Sequence, residues 1–366
     1  MFRILNIVGA RPNFIKIAPL LKEMSRHPFL LQPFLINTGQ HYDREMVDFF
    51  FEDLEIPVPD ENLDVGSGSH AVQTARIMMA FEPICLKYRP DLVLVVGDVN
   101  STLACSVVAS KLGIKIAHVE AGLRSFDRTM PEEINREVTD ILSDYLFTTC
   151  KDGNDNLSRI GIPEERIFFV GNVMIDSLLE HLPAARRRPI LQERKLEDRD
   201  YGLITLHRPS NVDDPAVLKE LIGAFEIIQR KIRLLFPAHP RTMKNLASFG
   251  LMDRIHNMGN LTILPPQGYL DFLALTDHAK VVFTDSGGLQ EETTVLGVPC
   301  LTLRENTERP VTITQGTNQL VGTDQTKIIA AAERILSSPP ARNGVPPLWD
   351  GKASQRIVEV LLRLAS

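Results

Sequence analysis

Acids and bases recur in this chain just after short apolar runs. Arg11 and Lys16 follow Ile4 to Val8, Gly97-Asp98 follows Leu92 to Val96, and Glu120 follows Lys115 to Val119. Further on, His207-Arg208 follows Tyr201 to Leu206, and His239 and Arg241 follow Arg233 to Pro237. The densest stretch is Val281 through Glu292, where a β-branched and aromatic run ends in Ser286-Gly287-Gly288 and helical spacing begins at Leu289. Paired glycines let a backbone approach a ligand closely, and the N–H groups at a helix start favour an anion such as phosphate. Glu291 or Glu292, in the first turn of that helix, is placed to meet sugar hydroxyls behind the phosphate. Each residue also has an ordinary role open to it: Asp98 as a helix cap, Glu120 in a surface ion pair, the acidic pair as residues favoured at a helix start.

The elements that must position these residues alternate. Strand Ile4 to Val8 leads into a helix with Pro12 at its start and a kink or restart expected at Pro19. A strand from Leu30, a long amphipathic helix His70 to Tyr88, strand Leu92 to Val96 and helix Thr102 to Leu112 follow. Then come strand Lys115 to Val119, helix Pro131 to Leu142 and strand Tyr145 to Thr149. Strands that are nearly all apolar and alternate with helices predict an α/β fold with a parallel sheet covered on both faces. A second set of strands begins at Tyr201. Two Rossmann-like doubly wound domains are therefore expected, residues 1–170 and 171–350, with a hinge near Gly171 and a cleft between them. Ligands of open α/β sheets bind at the carboxyl ends of strands, so facing edges would gather these acids and bases into one cleft.

At 366 residues, with 44% hydrophobic and 23% charged content, the chain reads as an ordinary two-domain globular protein. A net charge of 40 − 46 = −6 without a basic block excludes a nucleic-acid partner. No apolar run approaches a membrane span, and the four cysteines are scattered, which suggests a reduced, cytoplasmic setting. Neither a Gly-x-Gly-x-x-Gly turn nor a Walker lysine occurs. His118-Val119-Glu120 lacks the Cys-x-x-Cys of zinc deaminases, and Ser286 lacks the glycine of a hydrolase nucleophile elbow. No metal site is expected.

Taken together, Gly9-Ala10-Arg11-Pro12 with Lys16, Gly97-Asp98, His118 through Arg124, and Pro131-Glu132-Glu133 with Asn135-Arg136 resemble one family. Gly171-Asn172, His207-Arg208, Thr284 through Glu292, Thr307 through Pro310 and Gly322-Thr323-Asp324 extend the match nearly end to end. The resemblance is to the UDP-N-acetylglucosamine 2-epimerases, in their non-hydrolysing branch. It implies a GT-B-like pair of Rossmann-type domains, a homodimer, a last helix (351–366) crossing back onto the first domain, and no metal or nicotinamide cofactor. The implied reaction is inversion at carbon 2 of a UDP-sugar through elimination and re-addition of UDP by way of a 2-acetamidoglucal, supplying precursors of cell-surface polysaccharide.

By motif match, Asp98, Glu120 and Glu132 are the acid/base candidates, without assignment of individual steps. The resemblance places His207 on the leaving diphosphate, with Arg11, Lys16, Arg208 and the turn Ser286-Gly287-Gly288 about the UDP. Glu292 falls on the ribose hydroxyls and Phe272 on the uracil platform, where a lone helical aromatic is otherwise core. Arg309 either adds charge near the diphosphate or pairs structurally with Glu308.

Departures from the pattern are Leu206-His207-Arg208-Pro209-Ser210-Asn211 in place of Gly-His-Arg-Arg-Glu, a shorter loop 125–130, and a longer loop at 40–46. Gln40 and His41 in that loop, with Arg76, match an activating second UDP-sugar site of bacterial members. The sugar itself stays open, since relatives act on UDP-2,3-diacetamido uronic acids. A hydrolysing epimerase, a GT-B glycosyltransferase and a non-catalytic UDP-sugar sensor are the rival readings. Glu120 and Glu132 fit elimination better than transfer, and an intact acid set argues against a sensor.

Overall fold

The computed structural model describes residues 1–39, 53–338 and 344–365. The expected regulatory residues Gln40 and His41 lie outside them. The chain forms two compact units, residues 1–180 with 347–366 and residues 181–346.

The first unit is built on seven parallel strands: β1 (Phe2–Val8), β2 (Leu31–Asn37), β3 (Glu61–Asn62), β4 (Leu92–Val96), β5 (Lys115–Ala121), β6 (Tyr145–Thr148) and β7 (Ile167–Phe169). Their order across the sheet is β3-β2-β1-β4-β5-β6-β7. Leu5 and Ile7 of β1, with Val93 and Val95 of β4, pack on Ile77, Phe81, Ala104 and Val108 of helices His70–Tyr88 and Asn100–Lys111. The alternate residues Ile4, Val8, Leu92 and Leu94 are just as buried. Both faces are therefore covered, which is why these strands are written as continuous apolar runs. Helix Arg11–Met24 runs unbroken through Pro19, so the expected restart there does not occur.

The second unit carries six parallel strands: β8 (Tyr201–Thr205), β9 (Arg233–Pro237), β10 (Leu261–Leu264), β11 (Val281–Thr284), β12 (Cys300–Thr302) and β13 (Asn318–Leu320). The order is β10-β9-β8-β11-β12-β13. Its core joins Ile204, Phe236 and Phe283 of the sheet to Leu221, Phe225, Ile328 and Ile335 of two helices, and the Phe225 and Phe283 rings meet edge to face at 5.6 Å.

The units change over within helix Val173–Ala185, beyond Gly171. The first turns of that helix are tied to the first unit. Ser177 donates to the Ile15 carbonyl, and Asp176 accepts the backbone N–H groups of Ala353 (3.1 Å) and Ser354 (2.7 Å). Those are orphan donors at the start of helix Ala353–Ala365, which packs on helix Arg11–Met24. Just before it, Trp349 donates its indole N–H to the Thr149 carbonyl at 2.8 Å. Where this segment passes Gly171, at φ +90°, a Cβ would lie 2.1 Å from the Leu348 carbonyl oxygen. No other residue fits that approach.

Asp176→Ala is expected to uncap this helix at a cost of about 1–2 kcal/mol. Trp349 is the only tryptophan in the sequence, so its fluorescence reports the segment directly. In the variant it should respond at lower urea than in the parent, and an unchanged midpoint would show that Asp176 does not hold the helix.

Candidate active site

In each sheet the strand order turns back at one point, and the chemistry-bearing residues gather at the carboxyl ends of the strands flanking it. In the first unit that point lies between β1 and β4. The turn after β1 is organised by Asn13, whose side chain accepts from the N–H groups of Gly9 (3.2 Å) and Ala10 (3.1 Å) and donates to the Val96 carbonyl (3.0 Å). One turn later Lys16 points across β4, and its ammonium lies so near Gly97 that a Cβ there would sit 3.1 Å from Nζ. Lys16 forms an ion pair with Glu120, and both side chains are buried. Lys16, which the resemblance places about UDP, has its ammonium on the Glu120 carboxylate in this structure. An isolated buried charge is costly, and pairing removes most of that cost.

Glu120 sits at an irregularity in the β5–β6 register between Val119 and Ala121, with φ +74°. Asp98, after β4, is half-buried and accepts from Arg136 Nε (3.1 Å) and Nη2 (2.8 Å). Its backbone carbonyl accepts from Asn135 at 2.8 Å. The buried Arg136 also meets Glu133 at 2.6 Å, and Glu133 accepts from Ser125 and from the Phe126 N–H. Glu132, half-buried, lies in the first turn of the same helix, Pro131–Leu142. Asp98 and Glu120 thus stand on adjacent strands, each with its own cation. Arg11 opens the helix after β1. Arg76 is exposed on helix His70–Tyr88.

In the second unit the order turns back between β8 and β11. His207 follows β8, and its Nδ1 lies 2.8 Å from Asp285, the residue after β11. Asp285 is fully buried and also accepts the N–H groups of His207 and Arg208, each at 3.0 Å to Oδ2. Burial alone would raise its pKa, but the His207 charge and hydrogen bond, with those N–H groups, hold it below the usual carboxylate range. An Asp285 anion at Nδ1 leaves Nε2 as the outward face of a half-exposed imidazole.

The Ser286 N–H donates to Thr284 Oγ1 at 2.9 Å, so this N–H, expected to face a phosphate, is already engaged. Gly287 and Gly288 begin helix Gly287–Leu296. A Cβ at Gly287 would lie 2.5 Å from Arg309 Nη1, so any other residue there would have to displace the Arg309 side chain. Arg309 is buried beneath this turn, paired with Glu308 and with Glu291 at 2.9 Å, which is the structural alternative foreseen for it. Glu308 also receives Arg304 at 2.8 Å and Arg208 at 3.5 Å. Phe272 is half-buried on helix Tyr269–Asp277, the helix that brings Tyr269 beside Glu292.

Glu133, Arg136 and Asp285 stood in the matched motifs without a role, and Arg304 stood in none of them. Two of them carried a signal: Arg136 lies one helical turn after Glu133, and Asp285 directly precedes the Ser-Gly-Gly turn. Arg304 had none, because its link to Arg208 runs through Glu308.

Glu292 differs from its neighbours. Burial first, then the adjacent Glu291 charge, push its pKa up to about 8 from 4.5. The sign follows from linkage: a folded-state pKa above the unfolded one gives stability that is complete below pH 4.5 and lost as pH rises to about 8. Glu292→Gln should therefore flatten the fall in melting temperature across that window and raise it at pH 8. A parallel fall in both proteins would assign the dependence elsewhere.

The family model for UDP-N-acetylglucosamine 2-epimerase matches residues 22–362. A UDP-N-acetylglucosamine 2-epimerase of Methanocaldococcus jannaschii is 45% identical over 361 residues, 97% of this chain and 97% of that protein. A UDP-2,3-diacetamido-2,3-dideoxy-D-glucuronate 2-epimerase of Pseudomonas aeruginosa is 41% identical over 366 residues, 99% of this chain and 100% of the relative. The crystal structure of the Methanocaldococcus jannaschii UDP-GlcNAc 2-epimerase in complex with UDP-GlcNAc and UDP superposes with a TM-score of 0.93 at 44% identity, covering 99% of this chain and 100% of that one. On sequence and fold together, the chain belongs to the UDP-N-acetylglucosamine 2-epimerase family.

Proposed function

We propose that this protein interconverts UDP-N-acetylglucosamine and UDP-N-acetylmannosamine without net hydrolysis, in the cytoplasm, as a supplier of polysaccharide precursors. The observation that carries the reading is an acid set that sits at one sheet edge in a chain similar from end to end to enzymes of that name. The first unit supplies the acid/base groups and the second holds UDP. A base takes the carbon 2 proton, the C–H electron pair becomes the C1=C2 double bond, and the C1–O bond breaks with its electrons going to UDP. A proton then returns to the opposite face of carbon 2 and UDP re-adds at carbon 1.

Asp98, Glu120 and Glu132 are the groups available for the two proton transfers. Lys16 and Arg136 pair with Glu120 and Asp98 and hold the two carboxylates in place until substrate displaces or reorders a partner. Charge develops on the departing β-phosphate, where His207, held at Nδ1 by Asp285, stabilises it by hydrogen bonding. Glu292 takes the ribose hydroxyls. Arg11, Arg208 and Gly287-Gly288 lie about the diphosphate, and Phe272 beside the base.

A second reading, epimerisation of a UDP-2,3-diacetamido uronic acid, is favoured by the likeness to the Pseudomonas aeruginosa enzyme. The two are separated by comparing kcat/KM on the two sugars.

The test is proton NMR with UDP-N-acetylglucosamine in deuterium oxide. Deuterium should enter carbon 2 as UDP-N-acetylmannosamine appears, whereas free N-acetylmannosamine with UDP would place the enzyme in the hydrolysing branch. Asp98→Asn and Glu120→Gln should each lower turnover by roughly 10²–10⁴-fold while UDP affinity holds. Near-parental rates in both would remove these carboxylates from the chemistry.

A homodimer is part of the proposal. Val72, Met79 and Leu86 recur at heptad spacing along helix His70–Tyr88 and are 44%, 75% and 61% exposed, an apolar stripe suited to a second copy. Met79→Glu with Leu86→Glu should yield monomers by sedimentation, and a dimer that persists would place the interface elsewhere.

A further inference from the structure

Behind the carboxylates of the first unit lies a second, fully buried charge cluster that the chemistry above does not use. Asp140, on helix Pro131–Leu142, is wholly buried and receives donors from alternate residues of one short segment. His118 Nδ1 lies 2.7 Å from Oδ1, the Gly122 N–H 3.2 Å from Oδ2, and Arg124 Nη1 2.7 Å from Oδ2. These are the residues two before, two after and four after Glu120. The other ring nitrogen of His118, Nε2, lies 2.9 Å from the Gly97 carbonyl oxygen. A carbonyl only accepts, so Nε2 carries a hydrogen and donates there. Gly97 in turn donates its N–H to the Val119 carbonyl at 3.0 Å and immediately precedes Asp98.

Glu120 has φ +74°, a left-handed conformation that costs a residue with a Cβ about 1–2 kcal/mol and persists only where its surroundings enforce it. Without that irregularity, Glu120 would follow the regular alternation of β5, and its side chain would leave Lys16. The restraint that enforces the strain is on both sides of it, and it ends on one carboxylate.

Resting on the function proposed above, we infer that Asp140, His118 and Arg124 form a clamp that positions both Glu120 and Asp98 for proton transfer without touching substrate. Asp140 fixes the backbone flanking Glu120, and His118 carries the same restraint to the Gly97-Asp98 turn. The two carboxylates of adjacent strands are thereby set by a single buried anion, and the spacing between them is kept when substrate perturbs Lys16 or Arg136.

Two substitutions divide the clamp. A Gln side chain at 118 places its amide N–H where Nε2 stood and keeps the bond to Gly97, whereas Asn places it where Nδ1 stood and keeps the bond to Asp140. In H118N, which gives up the bond to the Gly97 carbonyl, amide hydrogen exchange at Gly97 should accelerate, whereas in H118Q, which keeps that bond and gives up the one to Asp140, it should stay near the parental rate. In both, the rate of carbon 2 deuterium incorporation should fall by about 10²-fold, the size of loss that ångström-scale misplacement brings, with UDP affinity and KM little changed. R124M, which removes the Nη1 donor to Asp140, should slow deuterium incorporation likewise and serves if either variant at 118 fails to fold. The inference is overturned if folded H118N keeps the parental Gly97 exchange rate, if the folded variants lose melting temperature but keep kcat, or if UDP affinity falls as far as kcat. An inactive parent protein would refute the proposed reaction, while the Gly97 exchange rates would still decide whether the clamp exists.

Discussion

A buried carboxylate must be met by a cation or by N–H groups, because desolvating it alone costs more than a marginally stable fold can bear. This chain buries carboxylates at both strand edges, and nearly every one is answered. Lys16 meets Glu120, Arg136 meets Glu133 and Asp98, and Arg124 with His118 meets Asp140. In the second unit His207 meets Asp285, while Arg208, Arg304 and Arg309 converge on Glu308. These pairs fix side-chain positions more than they add stability, since apolar residues could fill the same space at no greater cost. They gather at the edges where strand order turns back, the position at which open α/β sheets bind ligands.

The fold was largely legible in the sequence. The run Leu92-Val93-Leu94-Val95-Val96 fills a central strand buried on both faces, and such runs cannot serve half-solvated sheets. Short elements escaped: β7, β13 and the two-residue β3 hold too few residues to show a period. Pro19 misled, because a proline inside a helix removes a single hydrogen bond, and a helix packed on β1, β2 and helix Ala353–Ala365 tolerates the loss.

The candidate site was legible in its first layer only. Asp98, His207 and the Ser-Gly-Gly turn stand just after strands and Glu120 at the irregular end of one, and position along the chain picks them out. The residues that hold them come from elsewhere: Arg136 reaches Asp98 from 38 residues away, and Asp285 reaches the His207 N–H from 78. Such partners are set by strand order, which a single sequence does not state. Lys16 shows the same limit in another form. Its place after β1 suggested an anion, and it does meet one, but the anion is Glu120 of the chain itself.

Glu292 is the carboxylate that the general rule leaves out, and the exception is informative. Arg309, the cation close by, is held by Glu291 and Glu308, so Glu292 is buried beside a negative charge and keeps a proton instead. A protonated carboxyl gains an O–H donor and accepts fewer hydrogen bonds than an ionised one. If the group served packing alone, glutamine would fill the space without a penalty that grows with pH. A glutamate is worth keeping where a ligand brings donors that the protein withholds. Two ribose hydroxyls are such donors, and on accepting both the carboxylate would release its proton. The neighbouring Glu291 charge adds to burial in making ionised Glu292 costly, so the anion would form where ligand donors replace the missing cation.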